Sequence, residues 1–277
     1  DNKTSTGQTM TGLKDNYLAA MAKPLNFSTR ATVGSGQNVL IDGFVITGSA
    51  AKKVLIRAIG PSLGKSGITQ TLSDPTLAVY SHDGSLLARN DDWKKGQQPA
   101  IQATGLAPSN DAESALVLTL APGTYTTVMG GKSLTTGVGL IEVYDLTPTA
   151  DSSLQNVSTR GSVGIGQNVI IGGFIVGDGQ NPTMVIRGIG PSLSAVGIRN
   201  PLPDPILELH DANGQLIAMN NNWKDSQQAA IEATGLAPAN DQEAAIMQAL
   251  PPGNYTTILR GNRNSTGVAL VELYTLQ

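Results

Sequence analysis

Short stretches in which apolar and polar residues alternate recur along the chain, separated by glycine- and proline-rich turns. In the first half they cover residues 27–33, 38–47, 53–59, 76–81, 86–89, 113–120, 125–129 and 137–146. A period of two residues is typical of strands that bury one face. One short helix is indicated over residues 97–104, with Gly105 as its C-terminal stop. The pattern predicts an all-β fold with about eight strands in this half, most economically a jelly-roll β-sandwich.

The second half of the chain repeats the first half at an offset of 130 residues. The segment RAIGPSL at residues 57–63 returns as RGIGPSL at residues 187–193, and Trp93 returns as Trp223. The repeat predicts two tandem, homologous β-sandwich modules, at residues 26–146 and 156–277, joined by a linker at residues 147–155. Residues 1–25 precede the repeat and are interpreted as an N-terminal arm that docks on its own modules or on a neighbouring subunit.

The composition limits the partners and the compartment. Charged residues make up 14% of the 277 residues, the net charge is −3, and cysteine is absent. No basic stripe is present, so nucleic-acid binding is not expected. No apolar run approaches the roughly 18 residues of a spanning helix, so membrane insertion is not expected either. The first residue is Asp1, which is interpreted as the result either of signal-peptide removal or of trimming of the chain, and the polar, weakly charged composition indicates an extracellular protein.

Several segments carry a family resemblance. DPTL at residues 74–77, DG at 83–84, NDDW at 90–93 and LAPGTYT at 120–126 together resemble the prepeptidase C-terminal (PPC-like) jelly-roll domains of secreted bacterial proteins. STR at 28–30, NVLI at 38–41 and RAIGPSL are similar to a tandem module of large secreted bacterial surface proteins. The resemblance implies secreted jelly-roll modules with accessory, adhesive or structural roles.

The repeat also tests candidate catalytic groups. His82 corresponds to Ala212 and His210 corresponds to Tyr80, so neither histidine is retained in the other half. No nucleophile–base–orienter set and no Gly-x-Ser-x-Gly motif is visible in the sequence. The expectation is therefore a protein that is not an enzyme and has no organic cofactor.

A calcium site is the main chemical alternative. The oxygen-bearing side chains that would form it are Asn90, Asp91, Asp92, Asp111 and Glu113. Calcium prefers six to eight oxygen ligands, which loops at one end of a sandwich can supply. The second half has Asn221 and Asn222 in place of two of these carboxylates. The interpretation favoured here is that the first asparagine caps a turn and the other side chains are solvated.

The two tryptophans and the two strand arginines have alternative roles. Trp93 and Trp223 would stack on a sugar if their faces were exposed, but one tryptophan per module is more typical of a core residue. Arg57 and Arg187 interrupt apolar strands, so they are expected to pair with carboxylates and to be structural. The candidate partners are Glu142 and Glu272, or Asp74 and Asp204.

Two functions are consistent with these features. The first is a structural subunit of a surface filament, a homopolymer that assembles through the N-terminal arm and through sheet edges. The arm residues proposed for this role are Thr9, Met10, Thr11, Gly12, Leu13, Leu25, Asn26, Phe27 and Ser28. The alternative is a secreted module pair that binds surface glycans, with or without calcium, through the loops around Trp93 and Trp223.

Overall fold

The computed structural model describes residues 24–179 and 181–276, and these residues are nearly all in strands or turns. The strands are β1 Pro24–Val33, β2 Leu40–Gly48, β3 Lys52–Ile59, β4 Pro75–Ser81, β5 Leu86–Asn90, β6 Ser114–Leu120, β7 Gly123–Gly131, β8 Gly137–Asp145, β9 Ser152–Val163, β10 Ile170–Val176, β11 Thr183–Ile189, β12 Pro205–His210, β13 Leu216–Asn220, β14 Ala244–Ala249, β15 Gly253–Gly261 and β16 Gly267–Leu276. The α-helices are α1 Gln98–Gln102 and α2 Gln228–Ala233. The 3-10 helices are Gly36–Asn38, Pro61–Ser66, Lys132–Leu134, Pro191–Val196, Trp223–Asp225 and Asn262–Asn264. None of these helices is long and apolar enough to cross a membrane.

The eight strands of the first half form two layers. One layer has the order β1-β8-β3-β6 and the other has the order β2-β7-β4-β5, with every pair antiparallel. The pairs 1 with 8, 2 with 7, 3 with 6 and 4 with 5 are those of one long hairpin folded over on itself, which is the jelly-roll arrangement. The predicted all-β fold is confirmed. The predicted hairpin around Gly84, which has a φ of 81°, is present as β4 and β5.

The second half repeats these pairings, and strand pairing joins it to the first half. Strand β1 pairs with β10, and β9, the counterpart of β1, pairs with β2. The result is two eight-stranded layers, called sheet 1 and sheet 2, which one further pair, Thr32 of β1 with Ser162 of β9, links into a single sixteen-stranded sheet. Sheet 1 has the order β5-β4-β7-β2-β9-β16-β11-β14, and sheet 2 has the order β13-β12-β15-β10-β1-β8-β3-β6. Each sheet therefore takes four strands from each half of the chain.

The two sheets enclose one continuous apolar core. Along β2 the residues Leu40, Asp42, Phe44 and Ile46 are buried while the residues between them are less so, as the period of a strand that covers a core requires. A single cluster of buried side chains includes residues of both halves, from Phe27 to Leu273. The stacked pairs Phe44–Tyr125 and Phe174–Tyr255 occupy equivalent places in the two halves. The core of each half is thus continuous with the core of the other.

A pseudo-two-fold axis passes between β1 and β9. The hydroxyl groups of Thr29 and Thr159, which are equivalent residues, are hydrogen-bonded to each other at 2.8 Å and both side chains are buried. The register agrees with this symmetry, because Ser28 pairs with Gly173 while Ser158 pairs with Gly43. The symmetry exchanges sheet 1 with sheet 2.

Two predicted boundaries are wrong. Pro24 and Leu25 were expected in the arm but begin β1, and residues 152–155 of the expected linker belong to β9. The reason is the pairing between halves, since Ser152, Ser153 and Leu154 lie opposite the end of β2. A pattern within one module contains no information about a partner strand that comes from the other module.

Candidate functional site

Both tryptophans lie in the core. Trp93 is 5% exposed and Trp223 is 4% exposed, which leaves no indole face for a sugar to cover. Each indole nitrogen donates a hydrogen bond to a loop carbonyl, that of Asn110 at 3.1 Å and that of Asn240 at 3.2 Å. The hypothesis of a glycan-stacking platform at these residues is therefore wrong.

Three of the four acidic residues of the expected calcium site are paired with lysines. Asp91 contacts Lys132 at 2.8 Å, and Asp92 contacts Lys95. Asp111 contacts Lys94 at 2.6 Å on the exposed surface. Within the described residues no three His, Cys, Asp or Glu side chains converge as a metal site requires. Asn90 holds its own loop, since its amide nitrogen donates to the carbonyl of Asp92.

Glu113 has a structural role that the sequence analysis missed. Its side chain is fully buried and accepts hydrogen bonds from the backbone nitrogens of Gly60 and Ser62 and from the Ser62 hydroxyl. Its other oxygen accepts from the nitrogen of Asn110. Glu243 makes the same bonds in the second half. A buried carboxylate thus anchors the repeated Gly-Pro-Ser turn in each half, and both the turn and the glutamate have a structural role.

Arg57 and Arg187 have carboxylate partners on the neighbouring strand. Of the two candidates, Glu142 lies beside Arg57 and accepts from both its Nε and its Nη2, at 2.8 and 2.5 Å. Arg187 and Glu272 form the same fork, at 2.9 and 2.6 Å. Each guanidinium also lies over a tyrosine ring, that of Tyr144 or Tyr274. Burial, aided by Glu142, raises the pKa of Tyr144 to about 12, so its hydroxyl stays protonated.

The arm residues fall into two groups. Thr9, Met10, Thr11, Gly12 and Leu13 lie outside the described residues. Asn26, Phe27 and Ser28 lie in β1 and pair on both sides, with β8 and with β10, and Leu25 lies at a bulge in the same strand. The expectation that these four residues add to a neighbouring chain is wrong, because both edges of β1 are used within the chain.

Two edge strands of the sheets are closed by side chains. The outer edge of β6 meets two side-chain amides. The nitrogen of Ala115 donates to Asn90, and Gln97 bonds both the nitrogen and the oxygen of Val117, at 2.9 and 3.0 Å. In the second half, Asn220 and Gln227 make the same bonds to Ala245 and Met247 of β14. These amides occupy backbone groups that an added strand would need.

The other two edge strands, β5 and β13, have no such cover from the residues that the structure describes. Each is the last strand of its sheet, and within residues 24–179 and 181–276 no strand pairs with its outer edge. Both expose aliphatic side chains, namely Leu86 and Leu87 on β5 and Leu216, Ile217 and Met219 on β13. Each sheet therefore has one closed edge and one open, apolar edge. The sequence offered one signal for this arrangement, which is that Asn90 and Gln97 recur as Asn220 and Gln227.

A buried carboxyl lies at the centre, where the two halves meet. Asp42 is 3% exposed on the inner face of β2 and accepts a hydrogen bond from Thr159 at 2.6 Å. Burial raises the pKa of Asp42 to about 7, and the hydrogen bond from Thr159 opposes that rise only in part. Its equivalent in the second half is Gly172. At this position the first half buries a carboxyl, and the second half has no side chain.

Comparisons with known proteins give only distant likenesses. No protein-family model matches the chain, and no curated protein matches it. A DUF4785 family protein from Legionella pneumophila superposes with a TM-score of 0.25 at 10% identity over 95% of the chain. PNGF-II superposes with a TM-score of 0.26 at 11% identity over 92% of the chain. The chain spans 66% and 57% of those two proteins. The collagen adhesin of S. aureus has a TM-score of 0.16 at 9% identity, with 89% of this chain and 84% of that chain covered. Superpositions this loose carry no statement about function.

Proposed function

We propose that the chain is a non-enzymatic structural subunit of an extracellular filament or fibre, built from copies of itself. One observation carries the proposal: each eight-stranded sheet ends in one edge closed by side-chain amides and one open edge that exposes aliphatic side chains. Secreted β-proteins normally block such edges, because unpaired backbone groups are templates for another chain. Here β6 and β14 follow that rule, and β5 and β13 do not.

The placement of the open edges favours a polymer over a closed dimer. Strands β5 and β13 end different sheets and belong to different halves. A contact that joins an open edge to a different surface of the next copy is heterologous, and such a contact propagates into a fibre when its rotation does not close. Strand addition supplies main-chain hydrogen bonds for affinity, and alternate side chains set the register. The N-terminal segment, residues 1–23, lies outside the described residues and is the part of the chain that we propose bridges copies.

The extracellular location is part of the proposal and rests on composition. The chain has no cysteine and 14% charged residues, and it is rich in glycine. The paired arginines and buried carboxylates are used for structure in both halves, which supports a building-block role over catalysis.

Light scattering and negative-stain microscopy test the proposal directly. The full chain is compared with a variant that lacks residues 1–23 at matched concentrations. We expect polymers of the full chain and monomers of the truncated one, with the same thermal unfolding midpoint because β1 is intact in both. Monomers of the full chain over a range of concentration and salt would refute the structural role.

A further inference from the structure

One charged residue distinguishes the two open edges and makes one of them the better acceptor of an added strand. At equivalent positions β5 carries Arg89 and β13 carries Met219, and both side chains are exposed. A charge on an edge strand is one of the devices by which proteins prevent strand addition. Strand β13 has no charged residue among its five, whereas β5 has one. The edge of β13 is thus the less protected of the two.

The chain itself supplies a segment that fits this edge. Residues 4–13, TSTGQTMTGL, contain no charge and four threonines, a composition that suits an extended strand. Met10 and Leu13 are three positions apart, an odd offset, so they would point to opposite faces of such a strand. The exposed Leu216 and Ile217 are adjacent, so they too point to opposite faces of β13. An added strand would therefore cover apolar surface on both faces of the edge.

The connection from this segment to β1 is long enough to reach another molecule. Ten residues lie between Leu13 and Pro24, and they extend to about 35 Å. Within its own sheet, β1 is separated from β13 by β10, β15 and β12. Successive elements of one chain usually lie side by side and are joined by short loops, so a ten-residue crossing over three strand ends is the less usual arrangement. The connection also spans the roughly 19 Å from β1 to the chain's own β13, so the preference for adjacent elements, and not the length, favours another copy as the acceptor.

We propose that residues 4–13 of one copy add as a strand to the open edge of β13 of another copy. The proposal rests on the proposed function, and it identifies residues 4–13 as the donor strand and the edge of β13 as the acceptor. Because the donor precedes β1 at the centre of one molecule and the acceptor lies at the end of the next, the contact is heterologous. One end of each molecule, the β13 end, is then the growing surface.

A binding measurement with the isolated donor tests the pairing. The probe is a fluorescently labelled peptide of residues 1–23, titrated with protein that lacks residues 1–23 and followed by fluorescence anisotropy. We expect saturable binding that Met219→Arg weakens by about tenfold or more, since that change places on β13 the charge that β5 already has. Met219 is 57% exposed, so the fold should be unaffected, which thermal unfolding checks.

The reciprocal variant is the matched control. Arg89→Met removes the charge from β5 and should not weaken binding. Equal binding to the parent and to Met219→Arg would overturn the assignment of β13, and loss of binding in Arg89→Met would assign the site to β5. Polymers of the full chain together with a peptide indifferent to Met219→Arg would reject this inference and leave the proposed function standing. A full chain that is monomeric and excludes the peptide would show that the segment covers its own edge, which overturns both.

Discussion

The two halves of the molecule share a polar framework and differ at its centre. In each half a buried glutamate anchors the Gly-Pro-Ser turn, an arginine–glutamate fork crosses two strands, and two amides close one sheet edge. Position 42 is an aspartate, whereas its equivalent, position 172, is a glycine beside a cavity of about 20 Å³. The residues that both halves share define the module, whereas the residue at the central position differs between the halves.

The physical reason lies in what each position must satisfy. The shared groups serve backbone donors and acceptors that both halves bury, so removing any of them leaves an unpaired group. Asp42 accepts a hydrogen bond from the hydroxyl of Thr159 and from no other group among the described residues. The equivalent hydroxyl, that of Thr29, is bonded to Thr159 and so does not need a carboxyl at position 172. The residues opposite Asp42 on β7 and β9 are Thr127 and Thr159, and Thr29 of β1 is bonded to Thr159; all three are neutral. One half therefore carries a carboxyl at this position of the core, and the other half does not.

The largest expected effect tests the shared framework. Glu113→Ala and Glu243→Ala should each lower the free energy of unfolding by about 4 kcal/mol, because each leaves several buried backbone and hydroxyl donors without an acceptor. Urea denaturation of the two variants measures this, and the two midpoints should fall by similar amounts. A small effect in one half only would show that the halves do not depend equally on the anchored turn.

The second-largest expected effect is a pH dependence of stability that arises from the first half only. The pKa of Asp42 is raised from 3.8 to about 7 in the folded chain, so folding binds a proton between these values. The contribution of the neutral carboxyl is fully present below the unfolded pKa of 3.8 and is lost as the pH rises through about 7. Between about pH 5 and about pH 8 the native chain should lose about 3 kcal/mol of stability from this group.

The control for the pH prediction is Asp42→Asn. Its amide oxygen keeps the hydrogen bond from Thr159 but does not ionise, so the variant should show a flatter dependence of stability on pH. Parallel urea midpoints of native chain and variant across the pH range would contradict the buried titration. The equivalent position has no ionisable group, so Gly172→Ala should leave the pH dependence unchanged.

The smallest expected effect concerns the closed edges. Gln97→Ala and Gln227→Ala each remove two hydrogen bonds to the edge of β6 or β14, at partly exposed positions, and should cost about 1 kcal/mol. They also uncover backbone groups, so both variants should aggregate faster than the native chain when heated. Light scattering during a thermal ramp measures this. Unchanged aggregation in both variants would indicate that the amides do not protect the edges.

The sequence allowed the strands within a module to be predicted but not the pairing between modules. Alternation and the Asp-Gly turn at Gly84 located β4 and β5, and the glycine at position 105 ended α1 close to the predicted place. The β1–β10 and β2–β9 ladders were not predicted. The apolar inner faces of β1 and β9 have the same sequence pattern whether the neighbouring strand belongs to their own module or to the other module. Register between distant strands is set by the assembled core.

The roles of the individual site residues were also predicted only in part. Arg57 was expected to need a carboxylate on a neighbouring strand, since an unpaired charge inside an apolar strand is costly. The role of Gln97 was not predicted, because a glutamine in a loop gives no sign that its amide lies against a strand edge. Glu113 was assigned to a possible metal cluster, since nearness in sequence to Asp111 suggested a common site. In the structure Glu113 points inward and Asp111 points to solvent.

The hydrogen bond between Thr29 and Thr159 has a consequence for how this chain arose and how it comes apart. A contact between equivalent residues on a two-fold axis is the geometry of an isologous subunit interface. The molecule is, in effect, a homodimer whose subunits are tethered by the residues between β8 and β9. Cutting that tether should leave the two parts associated through the β1–β10 and β2–β9 ladders, the single β1–β9 pair and a common core, and one half made alone should pair with its twin.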